Sequence, residues 1–207
     1  NQSHLIGRFY GARPFRYSPS QVQYLRQTMS VQEIIRLGHP TLRQTAAPFP
    51  LEKIQSAEFE ELVDDLRQTL ADSGGIGLAA PQINVSVQVA VIEISNPKTR
   101  YGEVKTLPFT VFVNPVISVL DPAVAGYWEG CLSVPGMMGF VERPQHIKVD
   151  YFDDQGREQT MELSGFLATV FQHEFDHLYG HLYVDKLLDP KLFCFEEEYL
   201  KFHVDPE

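Results

Sequence analysis

The chain of 207 residues is 43% hydrophobic and 12% aromatic, enough for one sizeable buried core and near the upper end for a single domain. A formal net charge of −10 opposes a polyanionic partner, because a surface that holds nucleic acid must be basic to displace counterions. No apolar run approaches the roughly 20 residues that span a bilayer, and two cysteines, Cys131 and Cys194, are too few for a disulfide framework. A soluble protein is expected, with neither nucleic acid nor a membrane as its direct partner.

Residues 1–28 carry Arg8, Arg13, Arg16 and Arg26 and no acidic residue, whereas the chain from Met29 onward holds all 27 acidic residues. An acid-free, arginine-bearing leader suits an organelle transit peptide, a native extension, or upstream sequence introduced by cloning. A boundary is therefore expected after residue 28, with one folded domain over 29–207 and Met29 as an alternative start.

Within that domain, Phe59, Leu62, Val63, Leu66 and Leu70 recur at helical spacing, while Glu60, Glu61, Asp64, Asp65 and Arg67 occupy the opposite face. A helix is predicted from Ser56, as N-cap, to Ala71, stopped by Gly74 or Gly75. Short strands follow at Val87–Ile94, at Phe109–Val119 with a break at Asn114-Pro115, at His146–Phe152 and at Glu158–Leu163. Asp153-Asp154-Gln155-Gly156 joins the last two as a hairpin. A second helix is predicted from Gly165 to Tyr179, capped by Ser164 and stopped by Gly180. A short third helix starts at Asp189-Pro190 and turns Leu192, Phe193 and Leu200 inward. The order implies an α+β single domain, with antiparallel strands packed around the second helix.

That second helix contains His173-Glu174-Phe175-Asp176-His177. Histidines four apart lie one turn from each other on one face, so both imidazoles can reach one divalent ion, and Glu174 can stand beside it without ligating it. A catalytic site of this kind needs a third protein ligand. Glu196, Glu197 and Glu198 fall where a thermolysin-like protease has its glutamate, although a solvated acidic helix face explains them as well. The metzincin pattern requires a histidine where this chain has Tyr183, and His181 comes two residues early. Cys131, within Glu129-Gly130-Cys131-Leu132-Ser133, is the remaining candidate.

Three motifs in this order resemble those of the peptide deformylases: Gly75-Ile76-Gly77-Leu78-Ala79-Ala80-Pro81-Gln82, then Glu129-Gly130-Cys131-Leu132-Ser133, then Gln172-His173-Glu174-Phe175-Asp176-His177. The resemblance runs from Ser30 to about Phe193 and does not reach residues 1–28. It implies that Cys131, His173 and His177 hold one divalent metal ion, Fe(II) as the native ion with Zn(II), Ni(II) or Co(II) as alternatives. Glu174 would carry protons, and the side chain of Gln82 and the backbone N–H of Leu132 would hold the oxyanion. Gly75, Ile76, Gly77 and Gly130 would border the substrate main chain. Phe166, Thr169 and Val170, which precede His173 by seven, four and three residues, would wall a methionine pocket. The implied reaction is hydrolysis of the N-formyl group from formylmethionine at the start of nascent polypeptides, releasing formate. It would take place near the ribosome, in a bacterial cytoplasm or in a plastid or mitochondrion.

The chain departs from the family at one point. Several deformylases have arginine two residues beyond the position of Gly136, where Met138 stands here, and altered recognition at the open end of the cleft is expected. Arg143 is available to hold an acidic neighbour such as Glu129, or to serve a surface role. Two rival readings stand beside the resemblance: a metallopeptidase dependent on Glu197 or His181, and a catalytically silent metal-binding module. A silent module would need neither Glu174 nor Gln82.

Overall fold

The computed structural model describes residues 31–96, 98–99, 102–103 and 105–204. The expectations for residues 1–28 and for a start at Met29 fall outside them.

Helix α1 (Ala57–Ser73) begins where Ser56 accepts a hydrogen bond from the N–H of Phe59, and it ends on Gly74 at φ 66°. The predicted cap and stop are both observed, and the helix runs two residues past Ala71. A left-handed end of this kind is what glycine allows without steric cost. Strands β1 (Gly77–Ala79), β2 (Val89–Ile94), β5 (Leu107–Cys131), β6 (Val134–Phe152) and β7 (Glu158–Ser164) form an antiparallel sheet in that order, and β8 (Phe193–Phe195) adds to β6. A separate pair, β3 (Lys98–Thr99) and β4 (Gly102–Glu103), is also antiparallel. The α+β architecture and the antiparallel sheet agree with the sequence reading.

Both faces of the sheet's centre are buried. Val89, Val91, Val111 and Val113 pack with Phe59, Leu62, Leu66 and Leu70 of α1. The alternate residues Ala90, Ile92 and Phe112, with Ile147 and Val149, pack with Ala168, Val170, Phe171 and Phe175 of α2 (Phe166–Asp176). A strand covered on two sides has no polar face, which is why Val89-Ala90-Val91-Ile92 is an unbroken apolar run.

Several predicted boundaries need correction. Asn114 adopts φ 49° at the expected break, but the interruption is a bulge, and β5 continues to Cys131. The Asn114 side chain fills the gap, accepting from Phe49 N–H and donating to the Phe49 carbonyl. The strand predicted to begin at His146 already starts at Val134. Ser164 is not the cap of α2: it is the last residue of β7, paired with His146. Gly165, at φ 64°, makes the whole turn from strand to helix, a conformation that disfavours a side chain. α2 ends at Asp176 and is prolonged by a 3₁₀ turn to Tyr179, with Gly180 at φ 77° as the predicted stop. The third helix, α3 (Glu196–Phe202), begins later than predicted, after a 3₁₀ turn at Pro190–Leu192 and β8. It buries Tyr199, while Leu200, expected inward, is exposed. No helix among the described residues is long and apolar enough to cross a membrane.

Candidate metal centre

Cys131 ends β5 at the turn into β6, and α2 packs against both of these strands. The ligand atoms of Cys131, His173 and His177 consequently lie within 4.8 Å of one another. The Cys131 Sγ is 3.5 Å from His177 Nε2, so Nε2 is the nitrogen that faces the cluster. His173 turns Nδ1 the other way, 2.8 Å from Glu129 Oε2, which leaves its Nε2 for the cluster. Glu129 receives two further hydrogen bonds from Arg143, at 2.6 and 2.9 Å, and Arg143 reaches Asp176 at 2.7 Å. Arg143 is 2% exposed, so its role is internal and not at the surface. Burial alone would raise the Glu129 carboxyl, but hydrogen bonds from Arg143 and His173 outweigh it and hold it at about 2.

The donor set fits a divalent cation. A thiol and two imidazoles would supply three of the four positions such an ion takes in a catalytic site. Burial opposes protonation of His173, yet Cys131 and Glu129 raise its pKa well above the ordinary value. Burial lowers that of His177, and the charge on His173 adds to the effect.

Glu174 is buried beside the cluster and is not one of its ligand atoms. Its Oε2 has no hydrogen-bond partner among the described residues, and burial pushes its carboxyl up to about 7. Gly77 supplies the space it occupies, since an added Cβ would stand 2.6 Å from Glu174 Oε1. Gln82 is oriented by its neighbours. Its Oε1 accepts from Ala79 N–H at 2.9 Å, and its Nε2 donates to Ser133 Oγ at 3.2 Å and lies 3.8 Å from Cys131 Sγ. The amide therefore presents its donor end to the site.

Two adjoining cavities open on these groups. One, of about 380 Å³, is bordered by Gly75, Ile76, Gly77, Gln82, Cys131 and Leu132. The other, of about 280 Å³, is bordered by Ile76, Gly130, Phe166, Thr169 and Val170. Every site residue expected from the sequence thus lies at the centre or along these cavities. Residues that sequence reasoning did not assign are Trp128 and Glu196, which also line the smaller cavity, and Tyr183, whose ring stacks 6.0 Å from His173. Trp128 directly precedes the Glu129-Gly130-Cys131 motif, a signal that could have found it, whereas Glu196 is weighed only as a metal ligand. Met138, expected at the cleft's open end, is buried in the wall of both cavities. Glu196, Glu197, Glu198 and His181 are exposed and none of them is in the ligand cluster, so the geometry gives neither protease reading its third ligand.

Comparison with known proteins agrees with this geometry. The polypeptide deformylase family model matches residues 31–192. A peptide deformylase of Leptospira biflexa is 42% identical over 170 residues, covering 82% of this chain and 95% of the relative. Peptide deformylase 2 of a Nostoc species is 43% identical over 166 residues, 80% of this chain and 91% of its own. Among solved structures, the Met-Ala-Ser-bound class I type b peptide deformylase from Acinetobacter baumannii superposes with a TM-score of 0.72 at 34% identity, covering 77% of this chain and 99% of that one. An actinonin complex of the Synechococcus elongatus enzyme gives 0.69 at 34% identity, covering 83% and 86%. With both sequence and fold matched across nearly the full length of these relatives, the chain belongs to the polypeptide deformylase family of hydrolases.

Proposed function

We propose that this enzyme hydrolyses the N-formyl group of formylmethionine at the start of nascent polypeptides, releasing formate, and that one divalent metal ion held by Cys131, His173 and His177 is required. The observation that carries the reading is the approach of those three ligand atoms to within 4.8 Å beside a buried carboxylate, Glu174, that is not among them. When bound, such an ion polarises the formyl carbonyl and activates water.

The remaining work falls to the chain's own side chains. Glu174 takes a proton from the attacking water and later delivers it to the departing amine, a role suited to a carboxyl whose pKa lies near neutrality. Gln82 Nε2 and the backbone N–H of Leu132 donate to the oxyanion. Among the described residues β1 is an edge strand, paired with β2 alone, and its outer side can receive an extended peptide between Gly75–Gly77 and Gly130. Phe166, Thr169 and Val170 border the space for the first side chain. Recognition through the main chain and one pocket suits substrates whose later sequence varies.

The thiolate-bearing ligand set admits Fe(II), which we take as native, and Zn(II), Ni(II) or Co(II). The relatives are bacterial, and we assign the reaction to nascent chains beside the ribosome, in a bacterial cytoplasm or an organelle descended from one. The test is formate release from formyl-Met peptides, measured before and after chelation and again after metal is restored. Chelator-insensitive release would refute the metal requirement, and cleavage of unformylated peptides without formate release would refute the activity.

A further inference from the structure

Beyond the last ligand, the chain returns to the smaller cavity from outside. β8 adds to β6 along Met137–Gly139, with Met138 opposite Cys194, and Met138 forms part of the cavity wall. α3 follows at once, and its first residue, Glu196, borders both cavities. Its Tyr199 ring lies 4.9 Å from the ring of Trp128, and His203, just past the helix, lies 4.8 Å from it. Phe140 meets Trp128 from β6 at 5.9 Å, in room left by Gly126, where an added Cβ would overlap the phenyl ring. Tyr199 is 2% exposed, whereas Leu200 and Phe202 are 57% and 72% exposed, so Tyr199 is the side chain through which α3 holds to the domain.

Trp128 faces the same cavity as Phe166, Thr169 and Val170. We infer that α3 is the outer wall of the pocket for the substrate's first side chain, and that Tyr199, acting through Trp128, sets how closely that pocket fits methionine. The inference rests on the formyl-methionine reading above. Tyr199 is a positioning residue: its ring fixes the indole against one side of the cavity. Without it the indole loses one of the rings that pack on it and is held less firmly, and an apolar pocket with a looser wall loses contact with the side chain it holds. A short first side chain fills less of the pocket and makes little use of this wall.

The test compares formyl-Met-Ala-Ser with formyl-Ala-Ala-Ser in wild type, Tyr199→Ala and Tyr199→Phe. Tyr199→Ala is expected to lower kcat/KM for the methionine peptide about tenfold, mainly through KM, and for the alanine peptide by no more than about twofold. Tyr199→Phe keeps the ring and should restore the wild-type ratio. Trp128 is the one tryptophan in the sequence, so its emission reports the wall directly and should shift to the red in Tyr199→Ala alone. Equal losses on both peptides, an unchanged ratio, or failure of Tyr199→Phe to restore it would overturn the inference. A wild type that releases no formate would refute the activity instead, and the wall would then stand or fall on whether Trp128 emission shifts in Tyr199→Ala.

Discussion

Glu129 and His173 are joined by a 2.8 Å contact between a carboxylate oxygen and Nδ1, on the side of the imidazole away from Cys131 and His177. The same carboxylate is clamped by Arg143 through two hydrogen bonds. The arrangement fixes both the tautomer and the rotation of a candidate ligand from behind. Replacing Glu129 by Gln should therefore weaken binding of Zn(II) about 10- to 100-fold, read by competition with a chromophoric chelator. An unchanged affinity would mean that packing against Tyr183 suffices to hold the ring.

Glu174→Ala is expected to keep its metal and to lose about 10² to 10⁴ in the rate of formate release. The carboxylate lies next to the cluster but outside its ligand atoms. Metal content and activity should be measured on the same preparation. If both fell together, Glu174 would be needed to bind the ion, and its assignment as a proton carrier would be wrong.

A cobalt-substituted enzyme should show a sulfur-to-metal charge-transfer band from Cys131. Cys131→Ala should abolish the band with most of the metal affinity, whereas Glu197→Ala and His181→Ala should alter neither. Retention of metal by the Cys131 variant would remove the thiolate from the ligand set.

A chain lacking residues 1–28 should fold and release formate at the full-length rate. The match to the family model begins at residue 31, and Val31–Glu207 is a compact unit by itself. An insoluble or inactive truncation would make the leader part of the domain.

Asp185 accepts from Leu182 N–H at 2.9 Å and pairs with Arg43 at 2.5 Å. Burial works against its ionised form, but the Leu182 N–H and Arg43 hold its carboxyl below the ordinary value of 3.8. A depressed folded-state pKa adds stability above the unfolded value, and this is lost as pH falls through the folded one. Asp185→Asn should therefore be slightly less stable than wild type, by no more than about 1 kcal/mol for so exposed a pair. In urea unfolding the gap should be equal at pH 7 and pH 5 and shrink below pH 4; a gap that stays constant to pH 3 would assign the effect to geometry rather than charge.

The helix that carries His173, with the 3₁₀ turn that continues it through His177, is legible from the sequence because its evidence is local: two histidines one turn apart, apolar residues at helical spacing, and Gly180 as a stop. α1 is legible for the same reason, with Ser56 and Gly74 at its ends. Cys131 could be named only through its motif, since nothing in a chain order shows that β5 packs against α2. The long β5–β6 hairpin was half hidden because Asp121, Pro122, Pro135, Gly136 and Pro144 interrupt its alternation. Its bulges and its exposed stretch around Val119 and Val124 do not follow a buried-strand pattern. Local propensity is also silent on which side chain of α3 turns inward, and Tyr199, not Leu200, is the one that finds an aromatic partner in Trp128. The residue types proposed for the chemistry were thus determined by the sequence. Their convergence was decided by strand pairing and helix packing, which bring distant segments together and let Arg143 serve Glu129, Glu129 serve His173, and Gly77 make room for Glu174.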